Sequence, residues 1–205
     1  MVDKISKFEK DALDEICSIG AAHASTALSI MIKKRVDVGL SQGKLIDAKE
    51  APDYLDHHND EFVSILLEIT GQLPGEMFIL FDHDTAVRLS SILTKTKVKK
   101  ISRLQTSALK ELANIITGSY LSALSDFSHI NMVEGIPRLS KGKIGDILYK
   151  KFKQYKLKRK VLIIKTKLLI GNKEFTADLV FVLKLSEFKT LFKRICKRFF
   201  GGKKK

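Results

Sequence analysis

Ser107, Glu111 and Asn114 are an alcohol, an acid and an amide spaced four and three residues apart. On an α-helix, which turns about 100° per residue, all three fall within an arc of about 60°. A carboxylate there can pair with a cation. An amide can accept a hydrogen bond from a water while donating to an anion. Leu109, Leu112, Ile116 and Ala123 fall on the opposite side, so the polar stripe should look outward. The triplet is not a self-contained hydrolase: no Ser-His-Asp order, metal-type cluster or Gly-rich phosphate loop accompanies it. His57 and His58 lie in a polar stretch, and His23, His83 and His129 stand alone. If Glu111 and Asn114 do chemistry, they complete a site brought by another molecule. Helix physics alone leaves a plain solvated helix face as the other reading. Ser107 and Glu111 are four apart and so do not form a capping box, which needs three.

The helix that carries the triplet has a copy. Asp11-Ala-Leu-Asp-Glu15-Ile-Cys-Ser18 lies 96 residues before Ser107-Ala-Leu-Lys-Glu111-Leu-Ala-Asn114, and Thr26-Ala-Leu-Ser29 before Ser122-Ala-Leu-Ser125. Glu15 thus matches Glu111, and Ser18 stands where the second copy has Asn114. Further along, Phe78-Ile-Leu matches Phe181-Val-Leu at a spacing of 103, so the second copy has gained seven residues. The gain is expected in the basic 140–160 region.

The elements that must position these residues follow from periodicity. Apolar residues at helical spacing predict a first helix from about Ser6 to Lys33 and a second from Leu104 to Phe127. After the first come a β-rich stretch, 35–46, and a polar loop, 47–60. Phe62–Thr70 and Glu76–Phe81 read as a hairpin across Gly71–Gly75. Asp82 or Asp84 can cap a helix from Thr85 to Leu93. The second copy should repeat this: a strand ending at Pro137, an extra short helix within 142–155, a hairpin of Lys160–Ile170 and Phe175–Leu185, and a last helix capped by Ser186. The unit is helix–strand–strand–strand–helix, twice. It predicts an α+β fold with pseudo-twofold symmetry, its two long helices on one face of a largely antiparallel sheet. One domain spans 1–205, with repeats at about 6–97 and 102–200 and a basic flexible tail at 201–205.

Charge is unevenly placed. The net charge is +14, yet residues 141–205 hold 21 Lys and Arg against 4 Asp and Glu, leaving the first 140 residues net negative. Such a field suits an acidic partner, nucleic acid or an anionic membrane, or is simply a solvated lysine face. No apolar run of membrane-spanning length is expected, and the first residues lack a signal-peptide core, so a cytoplasmic protein is expected. Cys17 and Cys196 lack metal-type spacing and read as small hydrophobes.

At the triplet the chain resembles the CheC/CheX/FliY family of chemotaxis phosphatases. Their motif is Asp or Ser, three residues, Glu, two residues, Asn, then twenty-two residues and Pro; Ser107, Glu111, Asn114 and Pro137 satisfy every position. The phrase from Asn114 to Leu124 is similar to the second repeat of CheC itself. The first copy departs: Asp11 and Glu15 match, but Ser18 replaces Asn and Ser41 replaces Pro. That makes it a degenerate site.

The resemblance implies hydrolysis of the aspartyl-phosphate on the response regulator CheY. Asn114 would orient the attacking water, and Glu111 would pair with the regulator's active-site Lys. Ser107 and Pro137 would support docking and structure. No cofactor belongs to the chain itself, since Mg²⁺ comes with the regulator. The alternative is a mainly non-catalytic adaptor that binds CheY-P, the receptor deamidase CheD, or both. A third reading makes residues 141–160 and 193–205 a basic surface binder. Nucleic acid is not the expected partner.

Overall fold

The computed structural model describes residues 6–55, 61–143, 146–148 and 159–200, with the backbone alone at 40–43, 49, 52, 159 and 199–200. The order of elements is α1 (Lys7–Ile32), β1 (Val36–Asp47), a 3₁₀ turn (Ala48–Glu50), α2 (Ala51–Tyr54), β2 (Glu61–Gly71), β3 (Gly75–Asp82) and α3 (His83–Leu93). The second half holds α4 (Arg103–Ser128), β4 (Met132–Glu134), β5 (Arg138–Lys143), β6 (Arg159–Ile170), β7 (Lys173–Lys184) and α5 (Leu185–Phe200).

One antiparallel sheet runs β1-β6-β7-β3-β2-β4, with β5 also pairing β2. Read from either edge, this order is the same once each strand is exchanged for its repeat counterpart. Sheet order therefore carries the pseudo-twofold that the duplicated helices imply. Its axis passes through the β3–β7 pairing, where Met77 opposes Phe181 and Phe78 opposes Val180.

The strand faces alternate as a two-residue period requires. Val63, Ile65, Leu67, Met77, Ile79, Phe81, Leu179 and Phe181 join α1, α3, α4 and α5 in the main core. Both long helices thus lie on the same face. Phe62, Phe78, Leu80, Val161, Ile163, Val180 and Val182 form a smaller core on the other face, closed by Ala48, Ala51, Leu55 and Leu148. The polar 47–60 loop of the sequence reading is therefore partly helical, because Ala51 and Leu55 are fully buried and draw the chain onto the sheet.

α1 and α4 run antiparallel. Glu9, at the start of α1, lies near Cys196 of α5, where burial first and that carboxylate second raise the thiol's pKa. At the end of α4, the Arg198 guanidinium donates to Asp126 O (3.0 Å) and contacts His129 Nε2 (2.6 Å). The two helices meet where Gly20 faces Tyr120: a Cβ on Gly20 would sit 2.9 Å from Tyr120 Cδ1 and 3.1 Å from its Cα. Cys17 lies beside this contact, its thiol pushed up to about 12 by burial and, secondarily, by Asp14. It is a core side chain, as its sequence context suggested. α1 is long and apolar enough to cross a membrane on composition, contrary to the sequence expectation. Here its apolar side, including Leu13, Ile16 and Leu28, is spent on the core.

Three further expectations are corrected. β6 and β7 pair over twelve residues where β2 and β3 pair over eight, so the second copy is lengthened in its hairpin and not chiefly in 140–160; Phe78 and Phe181, matched at a spacing of 103, face opposite sides of the sheet, so seven is not the structural gain. The strand after α4 does not end at Pro137 but resumes as β5. α5 starts at Leu185, ahead of Ser186, and it is Glu187 Oε2 that accepts from the Lys184 N–H (2.9 Å). Most of the proposed 142–155 helix, the lysine run 150–158 and the 201–205 tail lie outside the described residues; 146–148 are helical.

Gly20→Val should force the α1–α4 contact apart and lower stability by on the order of 1–3 kcal/mol, the usual cost of overpacking. Urea unfolding monitored by circular dichroism measures it.

Candidate functional site

The amino terminus of α4 is tied down in a way that fixes the triplet. The Gln105 side chain turns back to accept from the Ser102 N–H (3.3 Å) and the Ser102 hydroxyl, while its Nε2 donates to Thr94 Oγ1 (3.3 Å). Gln105 is buried, so this link between α3 and α4 is shielded from water. The first copy has the same device at the same spacing of 96: Ser6 and Glu9 form a capping box. Both long helices also end on a left-handed residue, Lys33 and His129, again 96 apart. The duplication includes the stops as well as the faces.

Ser107 and Glu111 are exposed and Asn114 is half-buried, as the angular reading requires. Leu109, Leu112, Ile116 and Ala123 on the opposite side are fully buried. The Ser107 hydroxyl donates to Arg103 O of its own helix (3.1 Å). Among the described residues, neither Glu111 nor Asn114 has a hydrogen-bond or ion-pair partner. An amide left with both its donor and its acceptor open at a half-buried position is ready for an external ligand.

The edge strand completes the surface. A Cβ on Gly118, one turn beyond Asn114 on the same stripe, would lie 2.9 Å from Glu134 Oε1 of β4. Further along, Lys141 Nζ of β5 donates to Ile101 O ahead of α4 (3.3 Å). These two contacts show the strand running back along α4. A helix rises about 1.5 Å per residue and a strand about 3.3 Å. Interpolating between them sets Pro137 level with the Glu111–Asn114 turn. The twenty-two-residue spacing is thus the length of chain needed to leave Asn114, finish the helix and return beside it.

Pro137 itself occupies the break between β4 and β5. Gly135 N–H still bonds Glu68 O (2.7 Å), and pairing resumes at Arg138 opposite Leu66. Three residues there oppose two, a bulge, which is where an edge strand tolerates proline. β1 has a matching irregularity between Leu40 and Gly43. The bulge presents Ile136, 85% exposed, beside the stripe. Neither Glu134 nor Ile136 was singled out in the sequence. Their signal was only that they stand three and one residues before the motif proline.

The first copy is assembled alike but ends differently. Asp11, Glu15 and Ser18 are all exposed on α1. The Ser18 hydroxyl, however, donates to Asp14 O (2.8 Å) and so is engaged by its own helix. Ser41 lies in β1, its side chain outside the described residues.

A sequence profile of the CheC-like family matches residues 104–132, the stretch that holds the triplet. The CheY-P phosphatase CheC of Bacillus subtilis is 29% identical over 149 residues, 70% of this chain and 71% of that protein. The chain is similar to CheC-like proteins over that stretch and to CheC over most of its length. The flagellar motor switch phosphatase FliY of Bacillus subtilis is 23% identical over 128 residues, 60% of this chain but 33% of FliY. The fold matches the crystal structure of Thermotoga maritima FliY with a TM-score of 0.76 at 18% identity, over 97% of this chain and 100% of that one.

Gln105→Ala should lose the cap and the bridge to Thr94 together, at a cost of about 1–2 kcal/mol. Faster amide hydrogen exchange across the first turn of α4, with α1 unaffected, is the expected signature.

Proposed function

We infer that this CheC-like chain hydrolyses the aspartyl-phosphate of a CheY-type response regulator, using α4. The observation that carries the reading is the open amide of Asn114 beside exposed Glu111, level with Pro137, in a chain similar to a CheY-P phosphatase.

An aspartyl-phosphate is an activated acyl phosphate, and the regulator brings its own Mg²⁺ and Lys to the phosphoryl group. What remains is to place a water in line. Asn114 Oδ1 accepts from that water and Nδ2 donates to a phosphoryl oxygen, so one side chain sets the distance and angle of attack. Water oxygen bonds to phosphorus as the bond to the aspartyl oxygen breaks. The products are free aspartate and inorganic phosphate, with the proton passing to phosphate or solvent. Glu111 is a poor base so close to an anionic centre; it pairs with the regulator's Lys and fixes the docking register. Leu104 and Ile136, 61% and 85% exposed, flank the pair and supply apolar contact. Ser107 and Pro137 shape the surface without touching the phosphoryl group. The reaction takes place in the cytoplasm, where the regulator is phosphorylated.

The test is the decay of phosphorylated CheY with and without the protein. Asn114→Ala should slow catalysed decay by about 100-fold or more, the scale of losing one aligned polar group in a transition state, while regulator binding persists. Undiminished turnover in that variant would remove Asn114 from the mechanism. Glu111→Lys should lose binding and turnover together, because it sets like charges against each other.

A further inference from the structure

Gly118 and Glu134 make a contact that neither the helix nor the strand requires. Gly118 lies on the α4 stripe between the angles of Glu111 and Asn114, one turn beyond the amide. A Cβ there would sit 2.9 Å from Glu134 Oε1. A glycine in mid-helix is destabilising relative to alanine. A half-buried carboxylate with nothing to pair with is also unfavourable. Among the described residues, Glu134 has no hydrogen-bond or ion-pair partner. Two cations of the same sheet edge are engaged elsewhere: Arg138 pairs with Glu68 at 3.3 Å, and Lys141 donates to Ile101 O. The other repeat supplies a control. Ala22 and Val38 stand 96 residues before Gly118 and Glu134. Val38 pairs with Leu168 of β6 as Glu134 pairs with Ile69 of β2, and it packs against the main core. The same fold is therefore built with an alanine and a valine at these positions. The acid resting on glycine is an addition to the α4 copy.

We propose that Glu134 decides which regulators the α4 site accepts, by pairing with a second cationic side chain of the regulator, apart from the Lys that meets Glu111; this rests on the reading of α4 given above. Gly118 is seven residues beyond Glu111, about 10 Å along the helix axis. Side chains on a helix lean toward its amino terminus, so Glu111 and Asn114 point away from Gly118. Glu134 reaches the stripe from β4 and occupies the space they leave. The open amide thus has Glu111 on its amino-terminal side and Glu134 on the other.

A carboxylate this close to an incoming phosphoryl group is repulsive unless a cation arrives with it. A regulator carrying Lys or Arg at that spot satisfies Glu134. A regulator with a neutral or acidic side chain there buries the carboxylate unpaired and is rejected. Discrimination of this kind sits outside the reacting centre, where regulators that share the phosphorylation chemistry are free to differ. Glu134 acts on docking and not on water. It therefore governs affinity and the salt dependence of affinity, while the rate within the bound complex stays with Asn114. Gly118 is the residue that lets the carboxylate lie against the helix.

The test uses the full chain and phosphorylated cognate CheY, with decay followed over a range of CheY and salt concentrations. Glu134→Gln keeps the shape of the side chain and removes its charge. Expected is a KM about tenfold higher with kcat unchanged, and a shallower dependence of KM on salt. Affinity for beryllofluoride-loaded CheY, measured by calorimetry, should fall by the same factor. Gly118→Ala pushes the carboxylate aside; it should raise KM similarly and add little in the Glu134→Gln background. Circular dichroism and thermal unfolding establish that the variants fold. Charge reversal of CheY Lys and Arg residues, one at a time, should reveal one position whose loss of binding Glu134→Lys restores. An unchanged KM and salt dependence in Glu134→Gln would overturn the proposal. So would a fall in kcat at unchanged KM, or a charge-reversal series in which Glu134→Lys restores nothing. If the wild type does not accelerate decay, the reading of α4 itself fails. If the wild type hydrolyses and Glu134→Gln matches it at every CheY concentration, only the Glu134 proposal falls.

Discussion

The β3–β7 pairing is the constraint on which the rest of the molecule depends. It joins the two copies into one sheet and sets the axis that relates them. Because the strands are antiparallel and lie flat against the same core, that axis stands perpendicular to the sheet. Anything placed on one face by the first copy is repeated, reversed, by the second. Two long helices on that face must then run antiparallel and meet near their middles, and they do so where Gly20 admits Tyr120. Close packing in the middle leaves the outer stripe of each helix unneeded by the core. The polar residues of both motifs occupy that stripe. The chemistry proposed for α4 lies on a surface that symmetry frees from packing.

Symmetry also allows the copies to diverge. An exposed position can change its side chain without disturbing the core, so Ser18 can replace Asn with little structural consequence. The local effect is nevertheless definite: a serine on a helix satisfies itself on the carbonyl four residues back, as Ser18 does at Asp14, whereas asparagine on the same stripe keeps both its polar atoms for a partner. The hydroxyl of Ser107 is likewise turned to Arg103 O. Among these motif side chains the carboxylates and the amide are what remain for recognition.

Much of the fold was legible because the long helices state their periodicity over twenty-six residues each, and both hairpins are apolar runs broken by a turn. The stripe of Ser107, Glu111 and Asn114 followed from angle alone. Other features were set by tertiary contact. Ala51 and Leu55 look like members of a polar loop until the second face of the sheet buries them. Pro137 looked like a strand end, yet the bulge lets pairing resume at Arg138. The longer second hairpin was not legible because its extension leaves no compositional mark, whereas charge singles out 140–160. Glu134 and Ile136 were missed for a related reason: a side chain reaching onto a helix from an edge strand has no periodic signature.

Among the described residues, several cations of the basic half are engaged within the fold. Lys160 is buried and pairs with Asp47 at 3.0 Å across the β1–β6 edge, and Lys167 and Lys184 pair with Glu174 and Glu187. Arg198 is occupied at the end of α4, donating to Asp126 O and stacking over Phe127. These cations fasten the second copy to the first or to itself. Exposed pairs contribute little each, but Lys160 is shielded, and losing Asp47 would strand its charge. By contrast Lys95, Lys97, Lys99 and Lys100 are exposed on the short connection before α4, where no acidic residue accompanies them. Positive charge lies there beside a helix whose proposed partner carries a phosphoryl group. In a field of that sign an anionic partner is drawn toward the amino-terminal half of α4 before any contact forms.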